Sequence, residues 1–237
     1  MNLDLYVDTS RKGISMALSA QADKPETARY EETVNTEARG EILGATLDDL
    51  LNRMGATLDD VKRVMVTLGP GSFSGLRTGV AFCQGLCFSG KRALYGVTTL
   101  QALECFGQNA AGKECAEAAV IIRARTGFWY MRLNGEEFFI ETPEVIERLK
   151  NAKVKAIVAD APAQEDEALK ACFNSLVDSR LCGDDNLGSE NDCKRMQIVC
   201  DTGKPLDMWA PLFDTVKPSL IQEANYIQPS YFEKLKT

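Results

Sequence analysis

The chain has 237 residues, of which 45% are hydrophobic and 26% charged, and its formal net charge is −7. This length fits one large domain or two small ones around a real core. The acidic balance argues against a protein that holds nucleic acid by itself, because binding phosphates requires a basic surface. We find neither an apolar run of roughly 20 residues nor a basic N-terminal region followed by an apolar stretch. We therefore expect no membrane contact and a cytoplasmic location.

The absence of histidine excludes several kinds of catalytic site. Ser-His-Asp and Cys-His nucleophiles need an imidazole base, and metalloproteases of the H-E-x-x-H type need two histidine ligands. None of the eight cysteines forms a C-x-x-C pair, which argues against a zinc site. We interpret the cysteines as reduced and buried, while a redox or metal role for the polar region 182–200 stays open.

The first half of the chain alternates short β-branched runs with helical patterns. Apolar residues recur at helical spacing from Glu37 until Gly55, where the run ends. The predicted elements are strands at 3–7, 13–19 and 29–34, a helix at 37–55, a strand at 62–68, a helix at 76–88, a strand at 93–97 and a helix at 100–108. Strands and helices in this order predict a mixed sheet with helices packed on it.

The second half repeats this mixture of strands and helices. Two apolar runs flank Arg125, Thr126 and Gly127, which is typical of a β-hairpin. The predicted elements are strands at 118–124, 128–133 and 138–140, a helix at 143–149, a strand at 154–159, a helix at 165–173, a loop at 183–192 and a last helix within 201–216. No linker separates the halves, and we place the boundary near residues 109–113.

The most informative motif is GPGSFSGLRTG at residues 69–79. It follows an apolar strand, and Ser72 and Ser74 are residue types that cap the first turn of a helix. A strand, a glycine loop and a helix N-terminus can present backbone donors to an anion. The same pattern also occurs as a tight turn that binds nothing. The motif is not a Walker A loop, because its glycine spacing differs and Arg77 stands where that loop has lysine.

The helix that follows the motif carries no charged residue between Thr78 and Gly90. A helix that is apolar on most sides must be covered on most sides. One interpretation is a central helix buried in its own domain. The other is a helix with one face left for a partner protein, which Gly75, Gly79 and Gly85 would allow to approach closely.

Residues 69–77 resemble the signature of the bacterial TsaB (YeaZ) family, with Ser74 in place of the usual threonine. Further similar segments are Asp8-Thr9-Ser10, residues 96–103, Ala124-Arg125-x-Gly127-x-Trp129-Tyr130 and residues 229–232. The resemblance implies an α/β, actin/hexokinase/Hsp70-like (ASKHA) duplicated fold with two mixed-sheet subdomains. We assign residues 1–112 to the N-terminal subdomain, with the signature and the docking helices, and 113–237 to a divergent C-terminal subdomain whose tail packs back.

The same resemblance implies a non-catalytic subunit that binds and stabilises TsaD, the enzyme that makes threonylcarbamoyladenosine in tRNAs decoding ANN codons. A TsaE-like ATPase would join the complex, tRNA would bind only through it, and a homodimer would form when TsaD is absent. No cofactor of its own is implied, although ATP or ADP could lie at the complex interface. The implied partner-binding residues are Gly69, Pro70, Gly71, Ser72, Phe73, Ser74, Gly75, Leu76, Arg77, Gly79 and Phe82. On this basis Gly75→Leu should weaken partner binding far more than folding.

No metal site is implied, because Thr99 and Leu103 stand where TsaD carries a histidine pair. The alternative function is an actin-like small-molecule kinase or ATPase acting alone, with Asp8, Thr9 and Ser10 as possible nucleotide or cleft contacts. The acidic segment 183–188 would repel phosphate and argues against that alternative. Two departures from the family pattern lie at residues 37–41 and at Arg123, which replaces the usual acid.

Overall fold

The computed structural model describes residues 1–11, 13–21, 27–32, 39–110, 118–152, 154, 156–179, 197–200 and 211–225. These residues fall into two compact units, the first formed by residues 1–102 with 211–225 and the second by residues 103–200. The boundary predicted between residues 112 and 113 lies outside the described residues. No helix in the described ranges is long and apolar enough to cross a membrane.

The first unit is built on a five-stranded mixed sheet. Its elements are β1 (Leu3–Asp8), β2 (Ile14–Ala20), β3 (Thr27–Glu32), α1 (Arg39–Arg53), β4 (Val61–Thr67), α2 (Phe73–Cys87), β5 (Ala93–Val97) and the start of α3 (Thr99–Ala110). The strand order is β3-β2-β1-β4-β5. The central strand β1 pairs antiparallel with β2 and parallel with β4.

Helices α1 and α2 cover one face of this sheet. Leucines at helical spacing on α1 (Leu43, Leu47, Leu50 and Leu51) are buried in a core with β1, β2 and β4. Helix α2 adds Val80, Cys83 and Cys87 to the same core. The leucine spacing in the sequence therefore predicts the packing face of α1 correctly.

The opposite face of the sheet is covered by residues 211–216, which come from the far end of the chain. Phe213 is buried against Tyr6 and Tyr95, with ring centroids 5.7 and 4.8 Å away. The guanidinium of Arg63 lies 4.1 Å from the Phe213 ring and also forms a bidentate ion pair with Asp4. The C-terminal segment therefore completes the core of the first unit.

The second unit repeats the same topology in different residues. Its elements are the rest of α3, β6 (Ala118–Arg125), β7 (Phe128–Leu133), β8 (Glu136–Glu141), α4 (Thr142–Asn151), β9 (Ala156–Ala159), α5 (Ala161–Glu165), α6 (Glu167–Ser179) and β10 (Gln197–Cys200). The strand order is β10-β9-β6-β7-β8, and β6 pairs antiparallel with β7 and parallel with β9. In both sheets the first strand is central, with the second and third on one side and the fourth and fifth on the other. This repetition confirms the α/β duplicated fold of the actin/hexokinase/Hsp70-like (ASKHA) class.

Several element boundaries differ from the sequence prediction for local reasons. Helix α2 begins at Phe73 and not near residue 76, because Ser72 is its N-cap. The helix predicted at 165–173 is α6, which begins at Glu167, where the carboxylate of Asp166 accepts the Leu169 N–H, and the short helix α5, which Asp160 caps, precedes it. Strand β10 was not predicted. Within the range of the predicted last helix, residues 211–214 form a 3₁₀ turn and residues 215 and 216 are not helical, while residues 201–210 and the loop at 183–192 lie outside the described residues.

Candidate partner-binding site

The signature loop packs against the chain itself. Gly69 has a φ of +110°, which side chains rarely tolerate, and its carbonyl accepts the Thr99 N–H at 2.8 Å. A Cβ on Gly71 would lie 2.1 Å from the carbonyl oxygen of Ser10. Gly71 therefore serves the close approach of this loop to the turn that follows β1, whereas a Cβ on Gly69 would lie 2.7 Å from the carbonyl oxygen of Asn225.

The Asp8 carboxylate, the Thr9 hydroxyl and the backbone groups of Ser10 make hydrogen bonds within the first unit, whereas the buried Ser10 hydroxyl has no hydrogen-bond partner among the described residues. Asp8 Oδ1 accepts the Ser10 N–H and the Thr67 hydroxyl, each at 2.8 Å. The buried Thr9 hydroxyl donates to the Gly75 carbonyl at 2.8 Å, and the Ser10 carbonyl accepts the Ser72 N–H. This turn holds the N-terminus of α2 against the end of β1, so these bonds are structural. Its proposed nucleotide contacts stay a prediction.

The inner face of α2 consists of small and apolar residues. Gly75, Leu76 and Gly79 are all buried, and a Cβ on Gly79 would lie 2.2 Å from Thr9 Oγ1. The Ser72 hydroxyl accepts the Gly75 N–H at 3.3 Å, which confirms Ser72 as a helix cap. Because Gly75 is buried, the leucine in Gly75→Leu would disturb folding directly, and the expectation of a mainly binding defect does not hold for this residue.

Ser74 is a helical residue and not a cap. It lies in the first turn of α2, and its carbonyl accepts the Thr78 hydroxyl at 2.9 Å. Because the helix already starts at Phe73, Ser72 alone occupies the N-cap position. The exposed Ser74 side chain therefore belongs to the outer side of the helix.

The outer face of α2 is apolar and exposed. Phe73 is 54% exposed and Phe88, at the C-cap, is 80% exposed. The Arg77 guanidinium lies 4.0 Å from the Phe73 ring centroid, as in a cation–π contact. We define the outer stripe of α2 as Phe73, Arg77, Ala81, Gln84 and Phe88, which follow one another at helical spacing.

Two residues next to the outer stripe differ in their exposure to solvent. Gly85 is exposed, and a Cβ there would meet no atom within 4 Å. Phe82 is half-buried against the first core. Helix α2 is therefore neither fully buried nor fully exposed. Of the predicted partner-binding set, only Phe73 and Arg77 belong to the outer stripe, and both are exposed.

A C-terminal segment, which the sequence analysis did not place in the site, contacts the outer stripe. Gln84 Nε2 donates a hydrogen bond to the carbonyl of Gln222 at 3.1 Å. A separation of 138 residues leaves no local sequence signal that could have predicted this contact.

The two thiols of α2 face the core, and their pKa values are raised. Burial raises the pKa of Cys83 well above its ordinary value, and the neighbouring Cys87 adds to the shift. Burial raises the pKa of Cys87 to about 11, partly offset by the positive charge of Arg92. Both thiols therefore stay protonated at neutral pH.

We expect Cys83 and Cys87 to resist iodoacetamide in the native protein at pH 8. Only the thiolate reacts, and burial raises the pKa of both thiols. For Cys87, a pKa of about 11 lowers the thiolate population roughly a hundredfold. Peptide mass spectrometry after timed labelling measures each thiol separately, with the urea-unfolded chain as the control. Labelling of both at the rate of the unfolded chain would contradict the buried placement of this helix face.

The positions that correspond to the TsaD histidine pair lie at the start of α3. Thr99 is 2% exposed and Leu103 is 5% exposed, and neither offers a histidine ligand. Within the described ranges, no group of three or more Cys, Asp or Glu side chains is arranged to hold a metal ion.

Arg123 lies near the end of β6, in the second unit. Its N–H donates to Asp160 Oδ2 at 2.8 Å, and its guanidinium donates to the Thr126 hydroxyl at 3.0 Å. Asp160 also caps α5. The basic residue at this position is therefore held in a hydrogen-bonded turn, and any contact with a nucleotide stays a prediction. The other departure, at residues 37–41, lies partly outside the described residues.

Comparison with known proteins identifies relatives of this chain. Residues 34–168 match the family model described as "TsaD: tRNA N6-adenosine threonylcarbamoyltransferase". The TsaB protein of Escherichia coli K12, named for tRNA threonylcarbamoyladenosine biosynthesis, is 30% identical over 125 residues, which are 53% of this chain and 52% of that protein. A tRNA N6-adenosine threonylcarbamoyltransferase of Clostridium botulinum is 33% identical over 61 residues, 26% of this chain and 18% of that protein.

Solved structures point to the same relatives. A Pseudomonas aeruginosa protein described as similar to the peptidase YeaZ has a TM-score of 0.56 and 25% identity, covering 68% of this chain and 76% of that one. YeaZ from Pseudomonas aeruginosa has a TM-score of 0.51 and 23% identity, covering 67% and 76%. The matched region spans about half the length of the TsaB relatives. Because the family model matches more than half of the chain, the chain belongs to the TsaD-like family that this model describes, and TsaB and YeaZ proteins are among its relatives.

Proposed function

We propose that this chain is a non-catalytic subunit that binds and stabilises a TsaD-like enzyme in tRNA threonylcarbamoyladenosine biosynthesis. The observation that carries the proposal is the outer stripe of α2, where Phe73 and Phe88 are exposed at 54% and 80%. They lie near the two ends of one exposed helix face, and exposed large apolar side chains are typical of a protein–protein interface.

The shape of the stripe supports a helix as the occupant. Ala81 and Gly85 lie between the two phenylalanines, and both are exposed. Small residues let two helices approach closely, while flanking aromatic side chains supply the buried area. A TsaD-like partner would present a helix of related origin, because this chain matches the TsaD family model itself. The same argument allows a homodimer when the partner is absent.

The absence of catalysis is part of the same proposal. The chain has no histidine. In the turn after β1, the Thr9 hydroxyl bonds to α2, and the Asp8 carboxylate accepts the Ser10 N–H and the Thr67 hydroxyl. These features favour a structural role over the alternative of an actin-like kinase or ATPase. ATP or ADP at the complex interface, the TsaE-like ATPase subunit and tRNA bound through the complex follow from the family assignment and are proposals for this chain.

We expect Ala81→Arg to weaken binding to the TsaD of the same genome about a hundredfold, because a charged side chain would occupy the centre of the contact. Ala81 is exposed, so folding stability should change by no more than about 0.5 kcal/mol. Size-exclusion chromatography with light scattering and titration calorimetry measure the complex. The matched control is Ala171→Arg, an exposed alanine in helix α6 of the second unit.

The outcomes of this experiment separate the candidate functions. Loss of the complex with Ala81→Arg and not with Ala171→Arg supports the proposal. A wild-type chain that forms no complex with TsaD at micromolar concentrations, with or without ATP, would contradict it. Magnesium-dependent ATP turnover by the isolated chain would favour the kinase alternative.

A further inference from the structure

The segment at residues 219–225 is held rigidly beside α2. The Ser219 N–H donates to the Leu94 carbonyl at 2.8 Å, and the Asn225 N–H donates to the Leu68 carbonyl at 2.6 Å. Gln222 Nε2 donates to the Ser219 carbonyl at 2.9 Å, and the Ser219 hydroxyl donates to the Ile221 carbonyl at 3.0 Å. The turn formed by residues 219–222, which we name the C-terminal turn, is therefore fixed at both of its ends.

The C-terminal turn directs two large apolar side chains into solvent. Ile221 is 77% exposed and Leu220 is 43% exposed. A single exposed leucine or isoleucine needs no explanation. Two adjacent ones on a hydrogen-bonded turn form a pre-ordered apolar projection, which loses little conformational entropy when it binds.

The C-terminal turn is continuous with the outer stripe of α2. Gln84, a member of the stripe, donates its side-chain hydrogen bond to the Gln222 carbonyl. Gly96 makes room for the Gln222 side chain, since a Cβ there would lie 2.3 Å from Gln222 Oε1. Ile221 therefore directly precedes Gln222, whose carbonyl is hydrogen-bonded to the outer stripe.

We propose that the C-terminal turn is a second part of the surface that docks the TsaD-like partner, with Ile221 and Leu220 buried against an apolar patch of that protein. This inference rests on the proposed function and extends it, because it assigns a partner contact to residues that follow the second unit in the sequence. The docking surface then consists of the outer stripe and the C-terminal turn.

The chemistry of the C-terminal turn selects a protein as the occupant over tRNA. Its four residues, Ser219 to Gln222, include no basic side chain, and the nearest charged residues along the sequence, Lys217 and Glu223, have opposite signs. A surface that holds a tRNA backbone needs clustered positive charge. An exposed isoleucine beside a leucine is instead suited to a hydrophobic contact between proteins.

Titration calorimetry of the full chain with the TsaD of the same genome tests this inference. Ile221→Ser is expected to raise Kd about tenfold or more, with the unfolding midpoint unchanged because Ile221 is exposed. The matched control, Ile198→Ser, replaces a 37% exposed isoleucine in the second unit and should leave Kd unchanged. A photo-crosslinking amino acid at position 221 should label TsaD in the complex.

The outcomes distinguish a failure of this inference from a failure of the proposed function. If Ala81→Arg abolishes the complex while Ile221→Ser leaves Kd unchanged and position 221 forms no crosslink, the C-terminal turn is not in the interface and the proposed function stands. If the wild-type chain forms no complex at all, both the proposed function and this inference are overturned.

Discussion

Replacing Gly79 by alanine is expected to lower the free energy of unfolding by about 3 kcal/mol. A Cβ at this position would lie 2.2 Å from Thr9 Oγ1 and 3.2 Å from two carbon atoms of the same side chain. Thr9 is fully buried, and its hydroxyl donates to the Gly75 carbonyl. The added methyl group must therefore displace α2 or break a buried hydrogen bond.

Gly85→Ala is the matched control for this prediction. Gly85 lies in the same helix, but a Cβ there would contact no atom within 4 Å. Alanine is the better helix former, so we expect a gain of about 0.5 to 1 kcal/mol. Urea unfolding of the two variants measures both effects, which should have opposite signs. Equal effects of the same sign would show that helix propensity, and not the contact with Thr9, decides the result.

A double-mutant cycle would identify the contact itself. In Thr9→Ala the close hydroxyl is gone, so adding Gly79→Ala should cost less than it does in the wild-type chain. Strict additivity of the two changes would contradict the direct clash between positions 9 and 79.

Phe213→Ala should destabilise the protein by about 3 to 5 kcal/mol. Phe213 is 5% exposed, and its ring contacts Tyr6, Tyr95 and the Arg63 guanidinium. Truncation would leave a cavity under the far face of the first sheet and would remove one partner of Arg63. Urea unfolding, monitored by far-ultraviolet circular dichroism, measures the loss of stability.

Leu220→Ala is the control for this second prediction. Leu220 belongs to the same C-terminal segment but is 43% exposed, so we expect a change within about 0.5 kcal/mol. A loss below about 1 kcal/mol for Phe213→Ala would mean that the returning segment contributes little to the core of the first unit.

The sequence alone predicts most of the strands and helices, because their signals are local. Leucines at 43, 47, 50 and 51 specify both helix α1 and its buried face. The hairpin of β6 and β7 follows from two apolar runs around Gly127, where φ is +75°. The resemblance to the family, and the fold class that it implies, also follow from the sequence, since the signature at residues 69–77 is one continuous run.

Helix α2 marks the limit of such prediction. With no charge between Thr78 and Gly90, hydrophobic periodicity cannot say which side of the helix is buried. The answer depends on Thr9, which is distant in sequence and fits against Gly79 on one side only. Tertiary contact thus separates the glycines that pack internally from the outer stripe that solvent reaches.

By itself, the sequence predicted most of the elements, because periodicity and glycine signals are properties of neighbouring residues, and the resemblance carried by the signature motif implied the family and its duplicated α/β fold. Only the tertiary structure decided which face of α2 is exposed and that residues 211–225 return to the first unit. Those results depend on contacts such as Gln84 with Gln222, which join residues 138 positions apart. Complementary shape and paired hydrogen-bonding groups select such contacts, and neither is encoded in a local pattern.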